Sequence, residues 1–394
     1  MLKIKIYQKI IMLGLIVGVM LGACADNNAG TDNNNSTEVN TTVWEETEII
    51  EEPEPEEPDE IIITPRFNQY VLPEEELVEP EGFRGTMWVV VGKNGYLYEN
   101  GYINEYTGAA PKYINVTDAE LINRAEVLKD IQDELEARGI AFCVVISPSK
   151  AGSLPQFIPD FHVKEYPPLS SDYVRPYIRF KQFLEDKGVY FIDSATVYKS
   201  VGLTNTFPRT GIHWNLMAAF ETVDAVVSEY ERQRGFEVRR LVAESIMLSP
   251  TPIHGNEQDI FGIVYSGRNR EHLETAIIDE KYYAHNIYLD NRGGKPKIGR
   301  TIIQGGSFTG ELGRFFGQLS EGVHGIYYNN GGDLNGINWK RTLRNTDFII
   351  LEVNEQFVYN MGGNSPAWAE NDINILPLGP NLIDHLLEYL RDNP

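Results

Sequence analysis

The sequence is poor in cysteine, and this scarcity excludes a disulfide framework. It holds two cysteines among 394 residues, Cys24 and Cys143. Cys143 lies within the apolar run Ile140–Ile146, a pattern typical of a buried strand, so we interpret it as an inert core thiol.

Metal-ligand and phosphate-loop patterns are also lacking. None of the seven histidines stands at a ligand spacing, so we predict no metal site. The stretch Arg292–Lys295 has two glycines but lacks the strand–loop–helix context of a phosphate loop, and we predict no cofactor. Acidic residues outnumber basic ones by 57 to 34, a balance that argues against a nucleic-acid partner.

The acidic residues are concentrated near the N-terminus. Eighteen acidic residues and one basic residue, Arg66, lie between Asp26 and Glu81. Dense like charge with little apolar content cannot support a packed core. We therefore predict an extended acidic tether over residues 24–66 and one folded domain over residues 67–394.

Residues 1–23 are typical of an export signal, with a lysine-bearing start and the apolar run Ile10–Leu21. The following Leu21–Cys24 resembles the lipobox of bacterial lipoproteins. This resemblance implies cleavage before Cys24 and a diacylglycerol on its sulfur; the alternative is an uncleaved anchor helix. In both cases we expect an extracytoplasmic chain held to a membrane, in the periplasm or at the cell surface.

The remaining sequence alternates helical patterns with apolar strand patterns. A hairpin is predicted at Thr86–Tyr98, and Leu241–Arg300 is interpreted as an irregular insertion near the site or an edge hairpin. The predicted strands are 140–146, 189–193, 298–303 and 346–353, and the predicted helices are 118–138, 176–187, 216–232 and 381–391. This alternation favours a three-layer α/β/α, flavodoxin-like domain with a mostly parallel sheet.

Ser307 stands on the glycine-rich stretch Gln304–Gly310, between a predicted strand and a predicted helix. A serine on such a turn exposes its hydroxyl, and glycine lets a substrate approach. We predict that Gly306 and Phe308 form the turn and that backbone N–H groups here stabilise an oxyanion. Taken alone, Gly-Gly-Ser-Phe is also typical of a plain turn.

His213 lies in the stretch Thr210–Asn215, ahead of another predicted helix. A serine needs a base to become a nucleophile, and histidine is the usual one. Loops that leave parallel strands at their carboxyl ends share one edge of the sheet. We therefore expect His213 and Ser307 to meet there, although a His–Trp pair is by itself also consistent with packing.

The order of the motifs resembles that of SGNH-hydrolase-like proteins of the alginate O-acetyltransferase type. The motifs that carry this resemblance are Trp88–Tyr98, Ile146–Lys150, Thr210–Asn215, Gly305–Phe308 and Asp347–Glu355. The resemblance implies an extracytoplasmic O-acetyltransferase of an exopolysaccharide or cell-wall glycan, with Ser307 as nucleophile and His213 as base. It also implies a polysaccharide acceptor and a membrane-bound acyltransferase that supplies acetyl groups.

Two residues depart from that family pattern. Gly306 stands where the serine motif often has Asp, and Gly211 stands where the triad Asp precedes the histidine. A triad Asp holds the imidazole tautomer and stabilises the imidazolium. The group that orients His213 in place of this Asp is either a backbone carbonyl or one of three acids, Asp193, Asp347 and Glu352. Two other functions also stay open, a carbohydrate acetyl esterase and a catalytically degenerate lipoprotein that binds glycan or acts as a scaffold.

Four residues near these motifs are candidate substrate contacts: Lys150, Arg209, Trp214 and Asn215. Lys150 either contacts an anionic glycan or is a solvated surface lysine. Trp214 either stacks on a sugar ring or wedges His213 in place.

Replacing the predicted lipid attachment residue tests the export prediction. Cys24→Ala removes the sulfur that would carry the lipid, so we expect an unlipidated precursor that keeps its signal. Detergent partitioning and the mass of the cell-associated protein measure this outcome. A mutant that is processed and partitions like the wild type contradicts the lipobox interpretation.

Overall fold

The structure, a computed structural model, describes residues 76–243, 246–251, 279–284, 287–290, 294–327, 339–360 and 380–393. The predicted signal, Cys24 and the predicted tether lie outside these residues, and their predictions stay predictions. Within the described ranges, every helix is too short or too polar to cross a membrane.

Five strands form one sheet, in the spatial order β10 (Ser320–Tyr327), β9 (Ile298–Gly305), β11 (Thr346–Asn354), β3 (Ala141–Ser147) and β4 (Phe191–Asp193). All neighbouring strands of this sheet are parallel. This confirms the predicted mostly parallel sheet. The described strands are β1 (Val89–Val91), β2 (Leu97–Glu99), β3 (Ala141–Ser147), β4 (Phe191–Asp193), β5 (Leu241–Ala243), β6 (Ile246–Thr251), β7 (Asp279–Ala284), β8 (Ile287–Leu289), β9 (Ile298–Gly305), β10 (Ser320–Tyr327) and β11 (Thr346–Asn354).

Helices connect these strands and cover the sheet. The described helices are α1 (Asn100–Thr107), α2 (Pro111–Ile114), α3 (Asp118–Glu136), α4 (Lys150–Ser153), α5 (Asp160–Glu165), α6 (Pro176–Lys187), α7 (Ser194–Val201), α8 (Leu216–Arg234), α9 (Thr309–Leu319), α10 (Trp339–Thr342) and α11 (Pro380–Asp392).

Alternate side chains of β3 enter two separate hydrophobic cores. Cys143 and Val145 pack with residues of α7, α8 and α9 on one face. Val144 and Ile146 pack with residues of α3, α6 and α11 on the other. Because successive side chains of a strand point to opposite faces, this division confirms the predicted three-layer α/β/α arrangement.

Local signals in the sequence set several element boundaries. Helix α3 begins with a capping box, in which Glu120 N donates to Thr117 Oγ1 and Thr117 N donates to Glu120 Oε2. The β1–β2 hairpin forms as predicted, and its Asn94 and Gly95 both take a positive φ. Asn and Gly tolerate that conformation at low cost, which explains the turn.

Two parts of the chain differ from their predictions. β10 was not predicted, because Gly322 and Gly325 interrupt its pattern, yet it pairs along β9 as an edge strand. The stretch Leu241–Arg300 is not irregular throughout. Its described residues include two antiparallel pairs, β5 with β8 and β6 with β7, outside the five-stranded sheet, and its last three residues begin β9.

The sheet order places the carboxyl ends of β9, β11 and β3 side by side. Ligands of open α/β sheets bind at this edge. The serine turn follows β9 directly, and the loop with His213 reaches the same region after α7, a helix that the prediction missed.

Candidate active site

Ser307 lies on the turn between β9 and α9, as predicted, and is half-buried. The turn is closed by Thr309, whose N and Oγ1 donate to the Gly306 carbonyl at 3.2 and 2.6 Å. In the part of the chain that the structure describes, no group accepts a hydrogen bond from the backbone N–H of Ser307 or Phe308. Free amides at a helix N-terminus are suited to stabilise a developing oxyanion.

The ring of Phe308 joins the serine turn to the histidine loop. Its centroid lies 5.0 Å from that of His213, 5.3 Å from that of Trp214 and 6.4 Å from that of Phe207. Since Phe308 follows Ser307 directly, these contacts bring the two loops together at the expected edge. A hydrogen bond between Ser307 and His213 stays a prediction.

Trp214 packs edge-to-face on Phe308 and is only 2% exposed. A sugar ring cannot stack on a buried indole, so the predicted substrate contact is wrong. The alternative, that Trp214 wedges His213 in place, stays a prediction; both side chains contact the Phe308 ring. Asn215 is likewise assigned to the helix rather than to substrate: its Oδ1 caps α8 by accepting from Met217 N and Ala218 N.

Lys150 is fully buried, at 0% exposure, so both interpretations of it as an accessible lysine are wrong. Its Nζ donates to the carbonyl oxygens of Pro208, Arg209 and Gly211 at 2.6, 2.6 and 3.0 Å. An ammonium has three donors, and these carbonyls belong to the loop that leads into His213. Lys150 therefore fixes the backbone of the histidine loop from inside the protein.

Arg209 anchors the same loop to the β1–β2 hairpin. Its carbonyl accepts from Leu97 N at 2.7 Å, and its Nη1 donates to Asn94 O at 3.2 Å. The guanidinium also lies over the Tyr96 ring, 5.4 Å from the centroid. Because Arg209 is only half-buried, it remains a proposed substrate contact.

Two of the three candidate acids are engaged elsewhere. Asp193 ends β4 and accepts from Tyr177 OH and Lys181 Nζ, both at 2.9 Å. Asp347 lies at the opposite end of β11 from the site and accepts from Arg300 N at 3.1 Å. Neither carboxylate is placed to replace the triad Asp.

Glu352, the third candidate, lies under the serine turn and is fully buried. Its Oε1 accepts from Ser147 Oγ, and its Oε2 accepts from Gly306 N at 2.6 Å. Burial raises the pKa of the Glu352 carboxyl to about 7, while those two hydrogen bonds and the charge of His213 oppose the rise. The Gly306 N–H is thus occupied, so Gly306 shapes the turn and the proposed oxyanion donors are the amides of Ser307 and Phe308.

A buried ionic network holds the start of α4, the helix that begins with Lys150. Ser149, the residue before it, donates from Oγ to Glu355 Oε1 at 2.6 Å and caps α4. Arg175 pairs with both Glu355 and Glu105, at 2.5 and 2.7 Å. This network connects the end of β11 to the start of α4, which carries Lys150 to the histidine loop.

Sequence reasoning missed Ser147 and Phe207, since a serine after a strand and a loop phenylalanine carry no distinctive signal. It included Glu352 as one of three candidates. A glutamate inside the apolar run of β11 is itself a signal, because a buried carboxylate is rare unless it has partners.

Replacing Lys150 tests its assignment to the histidine loop. Lys150→Met keeps the length of the side chain but removes the donor from the Pro208 and Gly211 carbonyls, while the Arg209 carbonyl keeps its bond from Leu97 N. We expect a loss of about 2–5 kcal/mol in the free energy of unfolding, measured by urea denaturation. Lys164→Met, at an exposed lysine of α5, is the control. Equal stability of the two variants contradicts the assignment.

A second prediction concerns the charge of Glu352. Its folded-state pKa lies above the ordinary 4.5, so the stability of the protein falls as pH rises from about 4.5 to about 7. Glu352→Gln has no charge to bury. Its free energy of unfolding relative to wild type, measured by urea denaturation, should therefore be higher at about pH 8 than at about pH 5, by at most ~3 kcal/mol. A difference that does not change with pH contradicts this account.

Comparison with known proteins places this architecture in a family. A family profile described as "SGNH hydrolase-like domain, acetyltransferase AlgX" matches residues 89–286, half of the chain. This range includes Lys150 and His213 and ends before Ser307. No curated protein sequence gives a match.

Several solved structures are similar to this chain. The O-acetyltransferase domain of Pseudomonas putida AlgJ has 15% identity and a TM-score of 0.45, over 76% of this chain and 99% of that one. Bacillus cereus PatB1 has 12% identity and a TM-score of 0.41, over 68% and 96%. Pseudomonas aeruginosa AlgX has 12% identity and a TM-score of 0.39, over 70% and 68%. On the strength of the profile match, the chain belongs to the family of SGNH hydrolase-like domains of the acetyltransferase AlgX type.

Proposed function

We propose that this chain is an extracytoplasmic O-acetyltransferase that transfers an acetyl group to a hydroxyl of an exopolysaccharide or cell-wall glycan. The observation that carries the proposal is the 5.0 Å approach of the His213 and Phe308 rings, since Phe308 is the neighbour of Ser307. A serine beside a histidine, both partly exposed, is the arrangement that nucleophilic acyl transfer needs. Membership of an acetyltransferase-type family supports the same reaction.

In the first half-reaction, Ser307 Oγ attacks the carbonyl carbon of the acetyl donor. His213 accepts the hydroxyl proton, and the amides of Ser307 and Phe308 stabilise the oxyanion. The bond between the carbonyl carbon and the leaving group then breaks, and His213 returns the proton to that group. An acetyl ester on Ser307 remains.

In the second half-reaction, His213 takes the proton of a sugar hydroxyl, and the sugar oxygen attacks the ester carbon. The bond to Ser307 Oγ breaks, and His213 gives the proton back to the serine. The acetyl group is then on the glycan. Arg209 is the residue we propose for contact with the acceptor, because it flanks the histidine loop and keeps part of its surface exposed.

The proposed setting is a membrane surface outside the cytoplasm. Cys24 carries the lipid, residues 24–66 form the tether, and residues 67–394 form the SGNH hydrolase-like domain. Fully extended, such a tether reaches at most about 155 Å, so the domain can act at a distance from the membrane. A membrane-bound acyltransferase delivers the acetyl groups in this proposal.

A second candidate function is glycan binding without catalysis. Gly211 favours it, because the residue two positions before the histidine has no side chain to orient the imidazole. The third candidate, an acetyl esterase, uses the same two residues and differs only in accepting water instead of a sugar hydroxyl.

Acetyl transfer by the purified full-length protein tests the proposal. p-Nitrophenyl acetate serves as donor, oligosaccharides serve as acceptors, and mass spectrometry detects the acetylated product. We expect Ser307→Ala and His213→Ala each to lower the rate by about a thousandfold or more, because each removes a partner of the proton transfer. His324→Gln, at an exposed histidine of the edge strand β10, should keep the wild-type rate.

The outcomes separate the three functions. Acetylated oligosaccharide supports transfer, whereas release of acetate with no change in the oligosaccharide indicates an esterase. If no ester turns over on any acceptor, and the protein still binds the oligosaccharide, the non-catalytic function replaces our proposal.

A further inference from the structure

We propose that Glu352 is a positioning residue of this site: its carboxylate holds the serine turn and supplies, through space, the negative charge that position 211 lacks. This inference rests on the proposed function and adds to it a residue of β11, besides Ser307 after β9 and His213 in its loop. Four observations support it.

The first observation is the setting of the carboxyl. Glu352 is fully buried near the end of β11, whose strand neighbours are Leu351 and Val353. In the described ranges, neither lysine nor arginine pairs with it. An ionisable group in such a place lowers stability, so its presence there indicates a role other than packing.

The second observation is that both carboxylate oxygens bind residues that surround the nucleophile. Ser147 donates from the end of β3 to Oε1, and Gly306 donates from the serine turn to Oε2 at 2.6 Å. One carboxylate thus fixes the backbone directly before Ser307 to two neighbouring strands. Such a contact sets the position of the nucleophile and of the amides proposed for the oxyanion.

The third observation is how closely the turn packs on this side chain. A Cβ added to Gly305 would lie 2.6 Å from both Cβ and Oε2 of Glu352, and 2.7 Å from Thr309 Cγ2. Real side chains do not approach so closely, so Gly305 is required for the backbone to rest against Glu352. Gly305 and Glu352 therefore pack in direct contact, and a larger residue at position 305 would displace the glutamate.

The fourth observation is an electrostatic interaction between Glu352 and His213. Among the described residues they share no hydrogen bond, but the charge of His213 favours the ionised form of Glu352. By the same interaction, the carboxylate stabilises the imidazolium that forms when His213 takes the Ser307 proton. The proton moves from Ser307 to His213 only, and Glu352 stays ionised throughout.

The groups that face Glu352 come from each neighbouring element. β3 contributes Ser147 and the serine turn contributes Gly306, both through hydrogen bonds, and His213 of the histidine loop interacts with the carboxyl through its charge. Because burial raises the pKa of Glu352 to about 7, the carboxyl gains its charge as pH rises through neutrality. The reactivity of Ser307 should then rise over the same interval.

The chain offers a matched control at the other end of the same two strands. Asp347 on β11 accepts from Arg300 N of β9 at 3.1 Å, and a Cβ on Gly299 would lie against its carboxylate. This arrangement repeats the contact of Glu352 with the Gly305–Gly306 turn, but far from Ser307. Asp347→Asn therefore reports the effect of losing a strand-bridging carboxylate without disturbing the site.

The experiment measures the rate at which phenylmethylsulfonyl fluoride labels Ser307 in the full-length protein, from about pH 5 to about pH 9. This readout needs neither donor nor acceptor. We expect Glu352→Gln to slow labelling by about 10- to 100-fold and to remove one ionisation from the acidic limb of the profile. Asp347→Asn should keep the wild-type rate and profile.

A second variant keeps the carboxylate and changes only its hydrogen bonding. Ser147→Ala removes the donor to Oε1, so the charged form loses stabilisation and the acidic limb should move to higher pH. The rate at high pH should stay close to that of wild type. This variant also serves if Glu352→Gln does not fold, which circular dichroism shows.

The results distinguish this inference from the proposed function. If the wild type labels no faster than Ser307→Ala, Ser307 is not an activated nucleophile and both ideas fail. If the wild type labels at Ser307, but Glu352→Gln or Ser147→Ala leaves its pH profile unchanged, the inference alone is wrong. An equal loss of rate in Asp347→Asn also overturns it, because the effect would then be structural.

Discussion

A buried carboxylate at the meeting point of three parallel strands is the constraint on which this site depends. Placing Glu352 in the interior costs free energy unless each of its oxygens finds a donor. The donors come from Ser147 and Gly306, so the ends of β3, β11 and β9 must keep a fixed separation. The geometry of the serine turn follows from the requirement that both carboxylate oxygens of Glu352 accept a hydrogen bond.

A buried cation performs the corresponding task for the histidine loop. The ammonium of Lys150 donates to the carbonyls of Pro208, Arg209 and Gly211, and the loop must fold around it to supply them. This explains how a segment without helix or strand becomes well defined: its backbone polar groups have an internal partner instead of water. Opposite charges thus order the two halves of the site: Lys150 binds the backbone of the histidine loop, and Glu352 binds the backbone of the serine turn together with the Ser147 hydroxyl.

The sequence predicted the sheet well, because its central strands are continuous apolar runs and α3 and α6 begin or end at clear cap signals. It also predicted that the loops of Ser307 and His213 meet, because strand direction places the serine turn at this edge of the sheet. The His213 loop reaches the same edge only after α7, which was not predicted. The prediction failed for β10, because glycines interrupt the apolar pattern of this edge strand. It also failed for Lys150, whose burial depends on carbonyls far along the chain. Local pattern cannot show whether a lysine after a strand faces water or a loop that folds over it.

The absence of a side chain at position 211 has a further consequence for the histidine. An Asp bonded to the ring would fix its orientation and also supply charge. A carboxylate that acts through space, as we propose for Glu352, can supply charge but cannot hold the ring. Packing contributes to that orientation, because His213 contacts the Phe308 ring and Phe308 in turn contacts Trp214. On this proposal, Glu352 supplies the charge that a triad Asp would supply, and the aromatic packing beside the imidazole contributes to its orientation.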